Sequence, residues 1–592
     1  MATGGVSNLP AAVVAIDFGT TYTGYAYSYR SEFQKSDGAR EIFHNSWESS
    51  LAGNLSKKAP TVALFDPDGV FDSFGYDAEE KYSELTDKKQ HQTWHYYARF
   101  KMQLFNKMTL TREFEIQDQE GRTCQAIIVF SESIRFLKKA ALDELNDRNP
   151  VHEEEIQWVL TVPAIWNEPA KQFMRDAAVK AGIPANQLVL ALEPEAAAIY
   201  CGTLKHGTLK DINKEEFLSV GSRYMILDMG GGTVDIAVHE ISEDGTLTEI
   251  IPSSGGDWGG TNVDQAFNEF INEKIGKADA ETLRKTRKSH WMKLESNFEA
   301  KKRTLKKTTE KDVRVDIPPV LIIEGKLDIT FSNSYKMDIS NKDFKMFFSS
   351  KDKIIEHVQN ILGKVKGVKL IMMVGGYSQS GYVSSQIKDT FQNVTVLIPP
   401  QAEVAVMDGA VLFGFEPHTV SARMCRHTYG IRIMKPFATQ KHKPEYRRDV
   451  NLQDVCINIF QKFVYKGEIV KINDKREAKN LVSQHWKETR KYLEMEIPIF
   501  ASTENDPEYT TDPSCQQIGI ITITPPTAGW PNSVNYSLEV YFGRTEFDIR
   551  VYNDATGAEY ESKFDLLIEK EIPEVAQSPR TGVKTTSRCV VS

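Results

Sequence analysis

The chain is predicted to be an α/β protein in two similar halves, followed by a smaller β-rich domain, on three observations. Two glycine-threonine turns, each led by an aspartate at the end of an aliphatic run, recur about 210 residues apart. Strand-like and helix-like segments alternate through the first 400 or so residues, and beyond Pro417 short alternating strands replace them. The first turn lies in Val13-Val14-Ala15-Ile16-Asp17-Phe18-Gly19-Thr20-Thr21, and the second in Met225-Ile226-Leu227-Asp228-Met229-Gly230-Gly231-Gly232-Thr233-Val234-Asp235. In both, a buried strand delivers a carboxylate and the chain then turns on glycine. Glycine lets backbone N–H groups approach a phosphate closely, and threonine hydroxyls add donors. A carboxylate beside phosphates repels them unless a cation lies between, so Asp17 and Asp228 imply Mg²⁺ bound through water. Two such turns suggest a duplicated domain that grips a nucleotide from both sides.

Length and composition fit this reading. A chain of 592 residues holds roughly three to four domain-sized units. A formal net charge of -9 argues against a nucleic-acid binder. No run approaches the 18 or so apolar residues that cross a membrane, and the run Ala11 to Ile16 is too short for a secretory signal. Six scattered cysteines without C-x-x-C spacing favour a reducing compartment. The expectation is a cytoplasmic protein.

Along the chain, Gln157 to Val162 is an apolar run ended by Pro163 and reads as a strand. Pro169 to Gly182 reads as a helix, with proline early and glycine at its end. Leu188 to Leu192 is strand-like, and Glu193-Pro-Glu-Ala-Ala-Ala-Ile-Tyr200 opens another helix with proline in its first turn. From about Asp264 to Lys307 the sequence is helical and basic. Leu370 to Val374 is a further strand, closed by Gly375-Gly376, and a last helix is expected from Glu403 to Phe413. Beyond it, residues 430–433, 496–500, 518–523, 537–542 and 547–551 are strand candidates, the last two alternating as half-buried strands do. From Pro573 the chain is polar and basic, and is expected to be a disordered tail.

Seven motifs, in order, resemble the nucleotide-binding domain of heat-shock protein 70 chaperones. They are Ile16-Asp-Phe-Gly-Thr-Thr-Tyr22, Thr161-Val-Pro-Ala164, Glu193-Pro-Glu-Ala-Ala-Ala198, Asp228 to Asp235, Gly259-Gly260-Thr-Asn-Val-Asp264, Glu299-Ala-Lys-Lys-Arg-Thr-Leu305 and Met373-Val-Gly-Gly376. The match covers roughly residues 12 to 415. Phe100-Lys-Met102, Pro163-Ala-Ile-Trp166 and Leu192-Glu-Pro-Glu-Ala196 look more like the atypical heat shock 70 kDa protein 12 branch of that family. The resemblance implies an actin-like ATPase of two lobes, built from duplicated ribonuclease H-like domains, within residues 1–417. Lobe I would span about 12–205 plus the helix near 403–415, and lobe II about 220–402. Residues 418–572 would be a β-sandwich-like substrate domain, with the tail at 573–592.

The resemblance also implies roles by position. Asp17 and Asp228 would hold hydrated Mg²⁺. Gly19, Thr20, Thr21 and Tyr22 would wrap the β/γ-phosphates of ATP or ADP from one lobe, and Gly230, Gly231, Gly232 and Thr233 from the other, with Gly259 and Gly260 alongside. Glu193 and Asp235 would order water about the metal and γ-phosphate. Lys101 would position attacking water, with Arg99 as the alternative in this loosely matching stretch. Glu299, Lys302 and Arg303 would contact adenosine, although Lys301-Lys302-Arg303 alone would read as a solvated helix face. Gly375 and Gly376 would form the turn beneath ribose and adenine.

Several residues depart from the family pattern. After Gly375-Gly376 the family's Ser-Thr-Arg becomes Tyr377-Ser378-Gln379, so an arginine that stacks on adenine is replaced by Gln379, and Tyr377 offers an aromatic face instead. The apolar leucine linker between domains becomes His418-Thr-Val-Ser-Ala-Arg-Met424. Neither a helical lid nor an acidic co-chaperone tail is expected after the β-domain. The implied function is an ATP-binding protein with slow Mg²⁺-dependent hydrolysis, its nucleotide state biasing what the β-domain binds. The alternative is a non-catalytic scaffold whose β-domain recognises a protein or other ligand. A small-molecule kinase would need a further carboxylate base, and no P-loop signature is present. Finally, Cys589-Val-Val-Ser592 fits the C-a-a-X prenylation pattern, with Arg580, Lys584 and Arg588 nearby. This predicts peripheral membrane association of a fraction of the protein.

Overall fold

The computed structural model describes residues 9–35, 40–48, 55–105, 107, 110–204, 217–327, 335–450, 452–484 and 488–567. The tail and its Cys589 lie outside the described residues. Two mixed sheets of the same plan dominate the first two thirds, in keeping with the α/β expectation. In the first, strands run in the order Leu188–Leu192, Ile156–Val162, Ala12–Asp17, Tyr22–Tyr29 and Phe43–His44. In the second the order is Thr395–Leu397, Val368–Val374, Arg223–Met229, Val234–Ile241 and Leu247–Gly256. Each has two parallel pairings on one side of a central strand and an antiparallel hairpin on the other. The hairpin turns, residues 18–21 and 230–233, are the two glycine-threonine sequences.

Period-two alternation explains why these strands are apolar throughout. Ala12, Val14 and Ile16 point into the core of lobe I, whereas Val13 and Ala15 point into a core shared between the lobes. In lobe II, Met225, Leu227 and Met229 face one way, and Tyr224 and Ile226 enter the shared core. A central strand buried on both faces has no solvent side, so it cannot alternate with polar residues. Two helices, Glu193–Thr203 and Ala405–Phe415, run through the shared core. Their small residues permit close contact: a Cβ on Gly409 would lie 1.7 Å from the Ala196 carbonyl oxygen. The second helix starts at Ala405 rather than Glu403. The basic helical stretch resolves into Thr261–Ile275, Lys277–Thr286 and Lys288–Thr304, with Gly276 at φ +96° taking the first break.

Beyond the lobes, a six-stranded antiparallel sheet (Arg447–Val450, Gln453–Val464, Thr428–Pro436, Met495–Ser502, Cys515–Ile523, Ser562–Asp565) faces a three-stranded one (Lys475–Gln484, Ser533–Tyr541, Asp548–Asn553). Ile431, Ile497, Ile521, Tyr536 and Leu538 fill the core between them. The junction is itself a strand. Val420–Met424 pairs in parallel with Leu247–Gly256, and Ile469–Lys471 of the β-rich domain pairs with it in turn, so the lobe II sheet extends to seven strands. The β-rich domain also grips lobe I: Arg175 Nε donates to Glu546 at 2.6 Å, Arg112 Nη1 to Asp565 at 2.8 Å, and Leu567 is buried in the lobe I core. No helix among the described residues is long and apolar enough to cross a membrane.

His239, on strand Val234–Ile241, is wholly buried with neither ring nitrogen hydrogen-bonded among the described residues. Tyr224 lies beside it, with ring centroids 5.8 Å apart, and Glu195 and Arg423 are its charged neighbours. Burial pulls its pKa down to about 4 and Arg423 adds to this, while Glu195 opposes it. An unfolded histidine takes up its proton near pH 6.5, the folded one only near 4, so stability present above pH 6.5 is lost as pH falls through this window. From the size of that shift, His239 should cost about 2–3 kcal/mol of stability by pH 4.5. Urea titrations at pH 7 and 4.5 should show a smaller acid loss in His239→Leu than in the parent. Equal losses in both proteins would show that His239 does not set acid sensitivity.

Candidate functional site

The two glycine turns meet face to face at the mouth between the lobes. A Cβ on Gly231 would lie 1.8 Å from Thr21 Oγ1, and one on Gly232 would lie 2.6 Å from Thr20 Oγ1. Only glycine allows this approach, and a side chain at either position would drive the loops apart. Gly19 is held from below, its carbonyl accepting the Thr61 hydroxyl at 2.8 Å. The second turn is laced to the next helix: Gly259 N donates to Gly232 O at 3.2 Å, Gly260 N to Gly230 O at 3.1 Å, and Thr261 N to Gly231 O at 2.8 Å. Gly259 has no room for a side chain, since a Cβ would sit 2.4 Å from Gly231 O. Thr21 Oγ1 is buried with no hydrogen-bond partner among the described residues. A buried hydroxyl in that state is open to a water or a ligand atom.

Behind the turns lie four buried carboxylates, Asp17, Asp228, Glu193 and Asp235. Asp17 and Asp228 arrive on the two central strands, and Asp235 is the register partner of Asp228. Glu193 opens its helix, where the N-terminal dipole favours a negative charge. Lys101, on the short 3₁₀ turn Phe100–Leu104, donates to Glu193 Oε1 at 2.7 Å, and its ammonium lies 5.2 Å from the Trp166 ring centroid. Burial would raise the Asp17 carboxyl, but Lys58, Lys101 and the Thr161 hydroxyl (2.9 Å) hold it below its ordinary value. Glu193 is pushed up to about 7 by burial, against Lys101. Asp228 is raised well above the usual range by burial and by Glu193, Asp235 and Asp17. Burial also raises Asp235, partly offset by the Ile165 N–H bond at 3.0 Å.

Arg99 belongs elsewhere. It pairs with Asp264 of lobe II at 3.0 Å, whereas Lys101 reaches the carboxylate cluster at Glu193. Lys302 is buried between Asp264 (2.6 Å) and Glu299 (2.5 Å), and reaches the Gly260 carbonyl at 3.4 Å. Arg303 pairs with Glu299 at 2.8 Å, and its guanidinium lies 5.5 Å from the Tyr22 ring centroid. Gly375, at φ +80°, turns directly beside Asp228, where a Cβ would lie 2.4 Å from its Oδ1. Gly376 follows in the exposed turn. Tyr377 is not an open stacking face: it is buried in the lobe II core with its ring against Gly260. Gln379 points outward and bonds Glu403.

Lys58 was missed by sequence reasoning. Its Nζ lies 2.5 Å from Asp17 Oδ2. In Lys57-Lys58-Ala59-Pro60 it reads as a solvated pair, and only the pairing of Ala59–Pro60 with Tyr22–Thr23 carries it into the cleft. The four carboxylates face two ammonium groups, so the acids outnumber the cations beside them, and a further cation would favour the ionised forms of those that burial raises. Among the described residues no three ligating side chains converge as a direct metal cage. The donor set therefore fits an ion carried in with phosphates and water rather than stripped by protein ligands. With glycine cradles, an orphaned hydroxyl and this charge balance, the residues fit a nucleotide with its metal.

Comparison with known proteins shows the family. The family model described as Hsp70 protein matches residues 88–436. Heat shock 70 kDa protein 12B of Homo sapiens is 30% identical, covering 94% of this chain and 91% of its own length. Heat shock 70 kDa protein 12A of Homo sapiens is 29% identical with the same coverage. Chaperone protein DnaK of Thermoplasma volcanium is 27% identical over 52% of this chain and 47% of its own. Nucleotide-binding lobes of the actin-like ATPase type, motifs in family order and similarity along nearly the whole chain lead to one conclusion: this chain belongs to the Hsp70 family, in the branch of heat shock 70 kDa proteins 12A and 12B.

Proposed function

We propose that the protein binds ATP or ADP with Mg²⁺ in the cleft and hydrolyses ATP slowly, nucleotide state biasing what its β-rich domain holds. The observation that carries this reading is the meeting of the two glycine turns in front of a carboxylate–lysine cluster. In it, Gly19, Thr20, Thr21 and Tyr22 act from one side on the phosphates, and Gly230, Gly231, Gly232 and Thr233 from the other. Glu299 and Arg303 face adenosine, Lys302 positions Glu299, and Gly375 and Gly376 shape the turn beside Asp228. Asp17 and Asp228 would hold Mg²⁺ through water, and the ion would supply neutralisation of phosphate charge. Lys101, fixed by Glu193, orients the attacking water, and Asp235 takes part in ordering it. Such a site works by positioning and charge neutralisation rather than covalent chemistry.

Coupling to the β-rich domain has a physical route. Glu195, two residues from Glu193, accepts both Arg423 Nε and Nη2 at 2.7 Å, and Arg423 also donates to the Gly543 carbonyl. A second route passes from Asp235 to Ile165 N, and from the adjoining Ala164 carbonyl to Arg426. A ligand that shifts Glu193 or Asp235 therefore bears on the two arginines that seat the β-rich domain. The client held there is a protein or another ligand.

Three outcomes are expected. Saturating ADP with Mg²⁺ should raise the melting temperature by mass action, and Gly231→Asp should abolish that shift; a parent protein with no shift would reject nucleotide binding. Lys101→Ala should retain nucleotide yet lose single-turnover hydrolysis by about a hundredfold or more. A parent that binds ATP and never turns it over would instead be the non-catalytic scaffold. Removing Arg423 leaves Glu195 buried and unpaired, so Arg423→Ala should cost about 3–5 kcal/mol. Limited proteolysis near residue 543 should then cease to respond to nucleotide; an unchanged response would place the coupling elsewhere.

A further inference from the structure

Lys58 occupies a built position at the carboxylate cluster. Its ammonium contacts Asp17 Oδ2 at 2.5 Å, and its other charged neighbours are Asp228 and Glu193. Gly24, directly across the hairpin from Asp17, makes the space: a Cβ there would lie 3.0 Å from Lys58 Cγ and 2.8 Å from the Lys57 carbonyl oxygen. The backbone is fixed as well. Ser56 Oγ donates to the Lys58 carbonyl at 2.8 Å, and the neighbouring Ala59–Pro60 pairs with strand Tyr22–Tyr29. Only 17% of the Lys58 side chain is exposed.

A buried ammonium needs nearby negative charge, and here three carboxylates supply it. Asp17, one of the two aspartates placed to face hydrated Mg²⁺, already has a cation on one of its oxygens. Its other oxygen accepts the Thr161 hydroxyl. An incoming phosphate therefore meets a neutralised Asp17, and the electrostatic reason for requiring a metal on that side of the cleft is removed.

We propose that Lys58 is a built-in cation at the Asp17 side of the cleft, which allows nucleotide to bind with little dependence on free Mg²⁺. This rests on the nucleotide-binding reading above. Lys58 is a positioning residue for Asp17, and its charge takes the share of neutralisation that a metal would supply there. Metal-dependent hydrolysis is a separate matter, because Asp228 has no lysine contact of this kind among the described residues.

Calorimetric titration of the full chain with ADP, in Mg²⁺ and again in excess EDTA, tests the proposal without reading activity. The parent protein should change affinity less than about threefold between the two conditions, whereas Lys58→Met should bind about tenfold or more weakly in EDTA than in Mg²⁺. Lys58→Arg, which keeps the charge, should behave as the parent. A parent that loses ADP tenfold or more in EDTA overturns the role of Lys58, as does a Lys58→Met protein no more metal-dependent than the parent. If Lys58→Met does not fold, the parent comparison alone decides. No binding to the parent in either condition would instead reject nucleotide binding itself.

Discussion

Four carboxylates buried in one cleft cannot all carry charge without cations among them, and much of the structure answers that demand. Lys101 reaches Glu193 from a short turn of lobe I, and Lys58 reaches Asp17 from the residue before the strand Ala59–Pro60. Glu193 sits at a helix start, and Asp235 takes a backbone N–H. The surplus of acids over lysines leaves the cluster able to answer a further cation. Without the two lysines, burial would protonate the acids and the site would lose its chemistry.

The geometry at the mouth follows from the same constraint. Phosphates must approach the acids without contact, so the backbone turns are placed between them and stripped of side chains. Gly231, Gly232, Gly259 and Gly375 are each hemmed in by a neighbour that a Cβ would strike. Thr20 and Thr21 fill the space that the glycines leave.

Much of this was legible in sequence because it is local. A strand that ends in aspartate and glycine announces its turn, and Glu193-Pro194 announces a helix start. Contacts made across the fold were not legible. Lys58 looks solvated until strand pairing draws it inward, and Arg99 finds Asp264 only when the lobes come together. Tyr377 looked free to stack on a base, yet the turn after Gly375 sends its ring into the core of lobe II. The junction at residues 418–424 carries no leucine, and its role became visible only as a strand on the lobe II sheet. Side-chain type reports burial poorly when a buried partner of opposite charge is supplied from far along the chain.

That junction strand has a consequence for how the protein can be divided. Val420–Met424 pairs with the start of Leu247–Gly256, at Leu247 and Thr248, and Ile469–Lys471 pairs with Val420–Met424 in turn. A half cut off after Pro417 would uncover the strand edge at Leu247 and Thr248, the kind of backbone that other strands can pair with. The cut would fall inside one continuous sheet, because strands on both sides of residue 417 belong to it.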